Sequence, residues 1–534
     1  MGGGSRSRGS LLCARNRRSR ARLHFNAKAN GSGSGNSDAP CDRCINAVWK
    51  FGGSSVRDAH RMREVASVVE SELCNSSAFP ALVLSAMGRA TNLLIAAGER
   101  ALELHEAADV YHIPELQQLA ELHLHTCDEL KLDSSCKDDV QSLLDSLERI
   151  LSGVSVLQEL SRRGQAYLVS FGERMSTRIF AGLLRARGIH CLQYDSTESG
   201  MLTVGDDPLD ADVAPEAYEQ LRNSFAGPLD HVPVITGFIG RSLADNVVTT
   251  LGRGGSDLSA TALAAALDDS RECVLFKDTD GVLSADPRLC RNPQTIETLT
   301  FDEAAEIAFW GAPVLHPQAM EPCTNVKDVP VRVRNSYNLN GPTTIIQRQR
   351  ELNELMTALV CKHSVTMVDV TSLRSLGRSG FLSSVFNTLR DNGISADVVS
   401  TSEVSVSFTL DSYAIWSRDL VDEELEALRE QLSKIGSVNI QASEYCVLSL
   451  VCNASRSSTI LREVFHIFEK RNMHPFMLSQ GSSKTSISMM LRDDERLRDA
   501  IEEIHSVFFD GEGNPSVPVS FLSGELEPVV IGST

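Results

Sequence analysis

Apolar residues recur along this chain with two periods. Short runs rich in β-branched residues read as strands: Ala81–Ser85 (ALVLS), Tyr167–Phe171 (YLVSF), Val232–Thr236 (VPVIT), Cys273–Lys277 (CVLFK) and Val329–Val333 (VPVRV). Between them lie segments with helical spacing. Met62, Val65, Ala66 and Val69, for example, fall at i, i+3, i+4 and i+7, which makes one buried stripe. Strands alternating with helices predict an α/β domain with a largely parallel sheet, placed here at residues 45–348. Residues 99–165 break the alternation as a polar, Leu-rich helical insertion. In such sheets ligands bind beyond the carboxyl ends of the strands.

The last third repeats itself. Phe381–Ile394 (FLSSVFNTLRDNGI) aligns with Ile460–Met473 (ILREVFHIFEKRNM) at an offset of 79, with Val385/Val464 and Phe386/Phe465 in register. The strand pattern VSVSF at Val404 returns as TSISM at Thr485. Each copy predicts a strand, a helix and two further strands, so two small α+β units are placed at 358–440 and 441–525. Val517–Leu522 is expected to complete one of them.

Candidate chemistry sits at the strand ends. In Ala47–Val56 (AVWKFGGSSV) a strand delivers Lys50 into a glycine turn, and Ser54 and Ser55 are expected to cap the following helix. A glycine turn before a helix N-terminus binds anions, because free N–H groups and the helix dipole face the ligand. With Lys50 the site suits phosphate, although no G-x-x-x-x-G-K-[ST] occurs in the chain. Glu173 follows YLVSF, where a carboxylate at a strand end suits an ammonium, the other reading being an acid favoured by the dipole at a helix N-terminus. Arg253 stands among Gly252, Gly254 and Gly255, and Ser256 and Asp257 open an Ala-rich, buried helix. A guanidinium matches a carboxylate bidentately, and Asp257 can hold an ammonium, so the pair suits a zwitterionic amino-acid head. Lys277-Asp278 and Asp286-Pro287-Arg288 form a second charged cluster, with Arg288 suited to phosphate and the carboxylates to magnesium, ribose or turn capping. Thr300 to Glu303 is a capping box, and Gly311 ends its helix.

Composition narrows the class. A chain of 534 residues implies about three domains. The net charge of −19 argues against a nucleic-acid binder, and no apolar run is long enough to span a bilayer. Residues 1–37 contain no Asp or Glu but carry Arg6, Arg8, Arg15, Arg17, Arg18, Arg20, Arg22 and Lys28. Such a leader resembles an organelle transit peptide, assigned to residues 1–40, the other reading being a disordered basic tail. The 13 cysteines in so long a chain are expected to be reduced thiols. Cys41 and Cys44 form a lone C-x-x-C, and His123, His125 and Cys127 are expected on a solvated helix.

Seven blocks, in order, resemble the signatures of the aspartate kinases: VWKFGGSSV, SAMGRATNLL, VSFGERMSTRIFAGLL, VPVITGFIG, TTLGRGGSDLSATALAAAL, KDTDGVLSADPRL and TFDEAAEIAFWGAPVLHPQAM. The repeated units resemble tandem ACT domains. The resemblance implies the amino-acid kinase fold followed by two regulatory modules, and transfer of phosphate from ATP, with Mg2+, to the side chain of L-aspartate. It implies catalytic roles for Lys50, Glu173, Arg253 and Asp257. Nucleotide contacts would come from Lys50, Phe51, Gly52, Gly53, Ser54, Lys277, Asp278, Leu283 and Arg288. Thr91, Glu173, Arg253, Ser256 and Asp257 would bind aspartate, and no protein metal ligand is assigned. Leu283 stands where some relatives have Tyr, and Pro313 where relatives often have Lys or Gln. Effector contacts would come from Ser375, Leu376, Gly377, Arg378, Asp397, Ser402 and Glu403. The implied effector is lysine or S-adenosylmethionine, the assembly a homodimer through the ACT domains, and the location the plastid stroma. The competing readings are a kinase for another amino acid such as glutamate, and an amino-acid sensor with an inactive kinase domain. A bifunctional kinase and homoserine dehydrogenase would need a dinucleotide-binding domain, and no G-x-G-x-x-G is present.

Overall fold

The computed structural model describes residues 44–75, 79–104, 107–311, 315–351, 354–372, 380–410, 422–480 and 485–510. The basic leader, Cys41, Pro313, Ser375, Leu376, Gly377, Arg378 and Val517–Leu522 lie outside these residues.

The first part runs β1 (Ile45–Phe51), α1 (Ala59–Asn75), β2 (Phe79–Leu84), α2 (Ala90–Glu103), α3 (Pro114–Glu129), α4 (Ser134–Leu157), α5 (Arg162–Ala186), β3 (Cys191–Tyr194) and α6 (Ser196–Ser199). It continues with β4 (Leu202–Val204), β5 (Asp212–Val213), α7 (Pro215–Phe225), β6 (Val232–Thr236), β7 (Ile239–Ser242), β8 (Val248–Thr250), α8 (Gly255–Ala266) and β9 (Glu272–Lys277). A short hairpin, β10 (Val282–Leu283) with β11 (Thr295–Ile296), precedes β12 (Thr298–Thr300), α9 (Phe301–Phe309), β13 (Val331–Asn335) and β14 (Thr344–Gln347).

Eight strands share one sheet in the order β12-β14-β13-β9-β1-β2-β6-β3. All neighbours are parallel except β13 and β14. β1 lies inside, between β2 and β9, so its side chains are covered on both faces. Phe51 stacks on Phe276 at 4.4 Å, and Trp49 meets Phe276 edge-on at 5.5 Å. The expected parallel sheet is therefore present, and β1 feeds Lys50 out of its centre.

Tyr167–Phe171, expected as a strand, lies inside α5. Ser161 starts that helix by accepting the Gly164 N–H. α5 is central and buried on most sides, so its apolar run carries no helical period to tell it from a buried strand. Ser54 and Ser55 do not cap α1, which begins at Ala59. Asp58 accepts the Arg61 N–H there, and the Ser55 hydroxyl bonds Ser336 instead. His123 and Cys127 are buried and only His125 is exposed, because α3 turns that face onto the rest of the helical insertion. Burial pushes the His123 pKa down to about 4. The described cysteines are free thiols, and no described helix is long and apolar enough to cross a membrane.

The last third contains β15 (Met356–Thr371), α10 (Phe381–Asp391), β16 (Val399–Thr401), β17 (Ser405–Leu410), α11 (Asp422–Leu432), β18 (Ser437–Cys452), α12 (Ser457–Lys470), β19 (Met477–Ser479), β20 (Ser486–Arg492) and α13 (Glu495–Phe509). Its strands form one antiparallel sheet, β16-β17-β15-β18-β20-β19. β15 and β18 are 16 residues each and serve both repeats. The second half of β15 pairs with β17 and with the start of β18, while its first half pairs with the end of β18, beside β20. Register shifts near Lys362–Val365 mark the change, where Ser364 takes φ 57°.

A buried knot joins the two parts. The capping box predicted at Thr300 and Glu303 is formed, and the Glu303 carboxylate also takes the Arg350 guanidinium (2.6 Å) and the Thr357 hydroxyl (2.8 Å). Burial works against the charge on Glu303, but Arg350 and these hydrogen bonds outweigh it and hold its pKa below the usual value. Arg350→Met leaves this buried carboxylate without its cation and is expected to cost about 3 kcal/mol. Urea unfolding at neutral pH checks this, and a loss under about 1 kcal/mol would place the pair outside the stabilising core. A depressed carboxyl pKa stabilises only while the group is ionised, so the difference between wild type and variant shrinks as pH falls through the folded pKa of Glu303.

Candidate active site

A cleft of about 310 Å³ opens at the carboxyl ends of β1, β2 and β6, where a parallel sheet places its ligands. Its wall includes Lys50, Gly53, Ser85, Ala86, Gly88, Thr91, Glu173, Phe238, Gly252, Gly254, Gly255, Ser256 and Asp257. Residues more than 200 positions apart in sequence therefore meet here because their strands and helices share one end of the sheet.

Two ammonium groups converge on one carboxylate. Lys50 Nζ lies 2.7 Å from Asp257 Oδ1, and Lys277 Nζ lies 2.6 Å from Asp257 Oδ2. Lys50 comes from the end of β1, Lys277 from the end of the neighbouring β9, and Asp257 from the first turn of α8. Burial opposes the charge on Asp257, yet the two cations prevail and hold its pKa at about 2. Burial lowers the pKa of Lys50; Asp257 counters this, and the nearby Lys277 adds to it. The Asp257 oxygens, expected to meet a substrate ammonium, thus already carry two lysines.

The other acid is differently placed. Glu173 is buried in the middle of α5 rather than at a strand end. Gly172 brings it there, since a Cβ on Gly172 would lie 2.7 Å from Ala86 Cβ. α5 therefore packs directly on the end of β2, and Glu173 Oε1 accepts the Ala86 N–H at 3.2 Å. Oε2 is buried with no hydrogen-bond partner among the described residues. Burial lifts the Glu173 pKa to about 8, against the Ala86 hydrogen bond and the charge of Lys50.

The glycine turn after Lys50 has no room for side chains. A Cβ on Gly53 would lie 2.9 Å from the Ala86 carbonyl and 3.2 Å from that of Gly88. The Gly53 carbonyl accepts the Gly88 N–H at 3.1 Å, which ties the two turns together. Gly252 and Gly254 take φ 64° and 70°, which a side chain would oppose. Phe238 also has a positive φ, 68°, and sits in the wall with its N–H on the Ser259 hydroxyl. Strained backbone of this kind clusters at ligand sites.

Not every predicted residue reaches the cleft. Phe51 is wholly buried against Phe276, so only its backbone is near the turn. Ser54 is exposed, and its carbonyl accepts the Tyr337 hydroxyl at 3.3 Å. Arg253 is exposed on the loop, close enough for its charge to be felt at His316. Asp278, just past β9, and Leu283, the last residue of β10, lie outside the cleft wall. Arg288 is 87% exposed and forms an ion pair with Asp286 at 2.6 Å. Residues not anticipated from the sequence brace this half. Asn335 and Asn338 donate to Asp280, and Arg61, held by Ser336, lies 3.4 Å over the Tyr337 ring. The polar run NSYN at 335–338, just after a strand, was the available signal. Among the described residues no three His, Cys, Asp or Glu side chains gather as a metal site.

In the last third, Asp397 is nearly buried and binds Lys362 at 2.8 Å. The Lys362 ammonium also lies 5.7 Å over the Phe309 ring, at the end of α9. Ser402 and Glu403 are exposed in the turn between β16 and β17, and the Ser402 hydroxyl contacts that of Ser405 at 2.6 Å.

Residues 47–335 match the model of the amino acid kinase family. Aspartokinase 2, chloroplastic, of Arabidopsis thaliana is 43% identical over 472 residues, covering 87% of this chain and 85% of that protein. E. coli aspartokinase III in complex with aspartate and ADP, described as the R-state, superposes with a TM-score of 0.71 at 29% identity, covering 86% of this chain and 99% of that one. The same enzyme with lysine and aspartate, the T-state, gives 0.70 at 29% identity over 87% and 99%. A cleft built on a lysine-bearing glycine turn, a family model over its whole framework and a relative aligned along most of both chains lead to one assignment: the chain belongs to the amino acid kinase family and, within it, to the aspartokinases.

Proposed function

We propose that this aspartokinase transfers the γ-phosphoryl group of ATP to the side-chain carboxylate of L-aspartate in the cleft between the Lys50 turn and the N-terminus of α8. The carrying observation is the pair of lysines held on one buried carboxylate, near a second buried carboxylate with an oxygen that has no partner among the described residues. An aspartate carboxylate is ionised at neutral pH and needs no general base. The protein's task is to align the nucleophile with the γ-phosphorus and to offset charge. Lys50 does so at the transferred group, and Asp257 is the positioning residue that aims Lys50 and Lys277. Glu173 Oε2 takes the substrate ammonium, while Thr91, Ser256 and Arg253 surround the rest of the amino acid.

The nucleotide lies across the Gly52–Gly53 turn towards Lys277, Asp278 and Leu283, with Arg288 reaching the phosphates once it leaves Asp286. Asp278, exposed beside Lys277, is the carboxylate that would hold Mg2+ together with the nucleotide phosphates, and the ion would supply positive charge there. An inactive sensor is disfavoured, because Lys50, Glu173 and Asp257 meet in one cleft.

Two ACT modules, near residues 358–440 and 441–525, regulate the kinase domain at 45–348. Lysine is the proposed effector, with S-adenosylmethionine as a second candidate. Asp397 already holds an ammonium, that of Lys362, and the E. coli relative was solved with lysine. Ser402 and Glu403, with Ser375, Leu376, Gly377 and Arg378, complete the proposed site. Phe386 and Phe465, equivalent in the repeat, are both partly exposed, which supports pairing of two copies through these modules. A plastid location is supported by the basic leader and the chloroplastic relative.

The test is acyl-phosphate formation trapped with hydroxylamine, using MgATP and either aspartate or glutamate, with and without lysine. Turnover with aspartate alone supports the reading, and turnover with glutamate alone overturns it. Asp397→Asn is expected to raise the lysine concentration for half-inhibition at least tenfold. An unchanged value would remove Asp397 from the effector site.

A further inference from the structure

The segment just after the proposed nucleotide strip is anchored from an unexpected direction. Ser284 follows β10, and its buried hydroxyl lies 2.8 Å from Nε2 of the equally buried His505, in α13 of the second regulatory unit. Every polar group of Ser284 is used. Its N–H donates to the Gln294 carbonyl, its carbonyl accepts the Leu359 N–H, and its hydroxyl accepts the Gln294 N–H. The His505 ring is fixed in turn by stacking on Phe509 at 4.4 Å and 17°.

The same loop is held at two further points. Gln294 Nε2 donates to the Phe509 carbonyl at 3.0 Å, and Arg291 pairs with Glu502 at 3.1 Å. Ala285 and Cys290 belong to the apolar core that α13 builds with Ile501 and Ile504. The β10–β11 hairpin therefore has its connecting loop, residues 284–294, embedded against α13 of the second regulatory unit. Burial holds His505 below the ordinary histidine pKa, in keeping with a neutral ring that accepts the Ser284 proton.

We propose that His505 is a positioning residue for the nucleotide: through Ser284 it fixes the C-terminal end of β10, and so places Leu283 and sets the affinity for ATP from within the second regulatory unit. This rests on the reading above that Leu283 contacts the nucleotide. A loosened end lets β10 move without disturbing Lys50, Glu173 or Asp257, which reach the cleft from other elements. The effect should therefore fall on ATP and spare aspartate.

The test is steady-state kinetics of the full chain, varying ATP and aspartate separately, with His505→Asn, Ser284→Ala, their combination, and Leu283→Ala. Each single variant of the pair is expected to raise KM for ATP about tenfold, as for a lost buried hydrogen bond. KM for aspartate should stay within about twofold, and the double variant should be no worse than the worse single one. Ser284→Ala, which removes one oxygen, keeps the question open to test if His505→Asn does not fold. Unchanged KM for ATP in Ser284→Ala and His505→Asn, with a lowered Tm, would show a purely structural contact and overturn the proposal. If Leu283→Ala still raises KM for ATP in that case, only the role of His505 falls. If Leu283→Ala is silent as well, the nucleotide reading of this strip falls with it.

Discussion

Lys50→Met is expected to lower kcat about 10³-fold, the range seen when a preorganised donor to a developing charge is removed. Lys50 sits at the carboxyl end of the central β1, with its ammonium buried and pinned by Asp257. A cation held in place this way costs no reorganisation as charge moves from the γ-phosphoryl group to the leaving ADP. Its interaction strengthens in the transition state, so the loss belongs in kcat more than in KM for aspartate. The variant also leaves Asp257 with one lysine instead of two, so thermal unfolding must accompany the assay. A folded Lys50→Met protein with kcat within tenfold of wild type would remove Lys50 from the chemistry. Lys50→Arg is expected to recover little, since the planar guanidinium does not fit the place of a compact ammonium.

Glu173→Gln should act chiefly on aspartate, raising its KM about 10²-fold, because a buried ammonium loses its counter-charge. The pH dependence separates this from a packing defect. Burial raises the Glu173 pKa to about 8 in the substrate-free protein. Binding an ammonium favours the ionised form, so kcat/KM for aspartate should climb with pH towards 8 in wild type. In Glu173→Gln that climb should vanish. Stability carries the opposite sign. Between the ordinary carboxyl value and about 8 the folded state keeps a proton that the unfolded state has released. Stability due to this group therefore falls as pH rises through that window, and the Gln variant should lose the slope. A wild-type profile that is flat between pH 6 and 8 would place the ammonium elsewhere.

The α/β alternation, the repeat in the last third and the glycine turn after Lys50 were legible because each rests on local rules. Period-2 and period-3.6 patterns, capping residues and glycine turns act over a few positions. The capping box at Thr300 and the buried helix after Gly255 formed where those rules placed them. The strand at Tyr167–Phe171 failed for a related reason. In the centre of a domain a helix can be covered all round, and local patterning then ceases to distinguish it from a strand. The polar run after β13 was visible, but nothing local said that Asn335 would reach Asp280.

By itself the sequence determined which residue types stand beside which local features: a lysine before two glycines, an acid after a buried apolar run, an arginine and an acid around a glycine loop. It also determined that two similar units close the chain. Only the tertiary structure decided how those charges pair. Asp257 faces two lysines because β1 and β9 are adjacent in the sheet, and Glu173 Oε2 has no partner among the described residues because α5 packs through Gly172 onto β2. It likewise decided that β15 and β18 each serve both repeats, and that His505 reaches Ser284 beside the β10–β11 hairpin. Charge pairing depends on distances between residues far apart in sequence. Those distances exist only once burial of the apolar faces has fixed sheet order and helix packing.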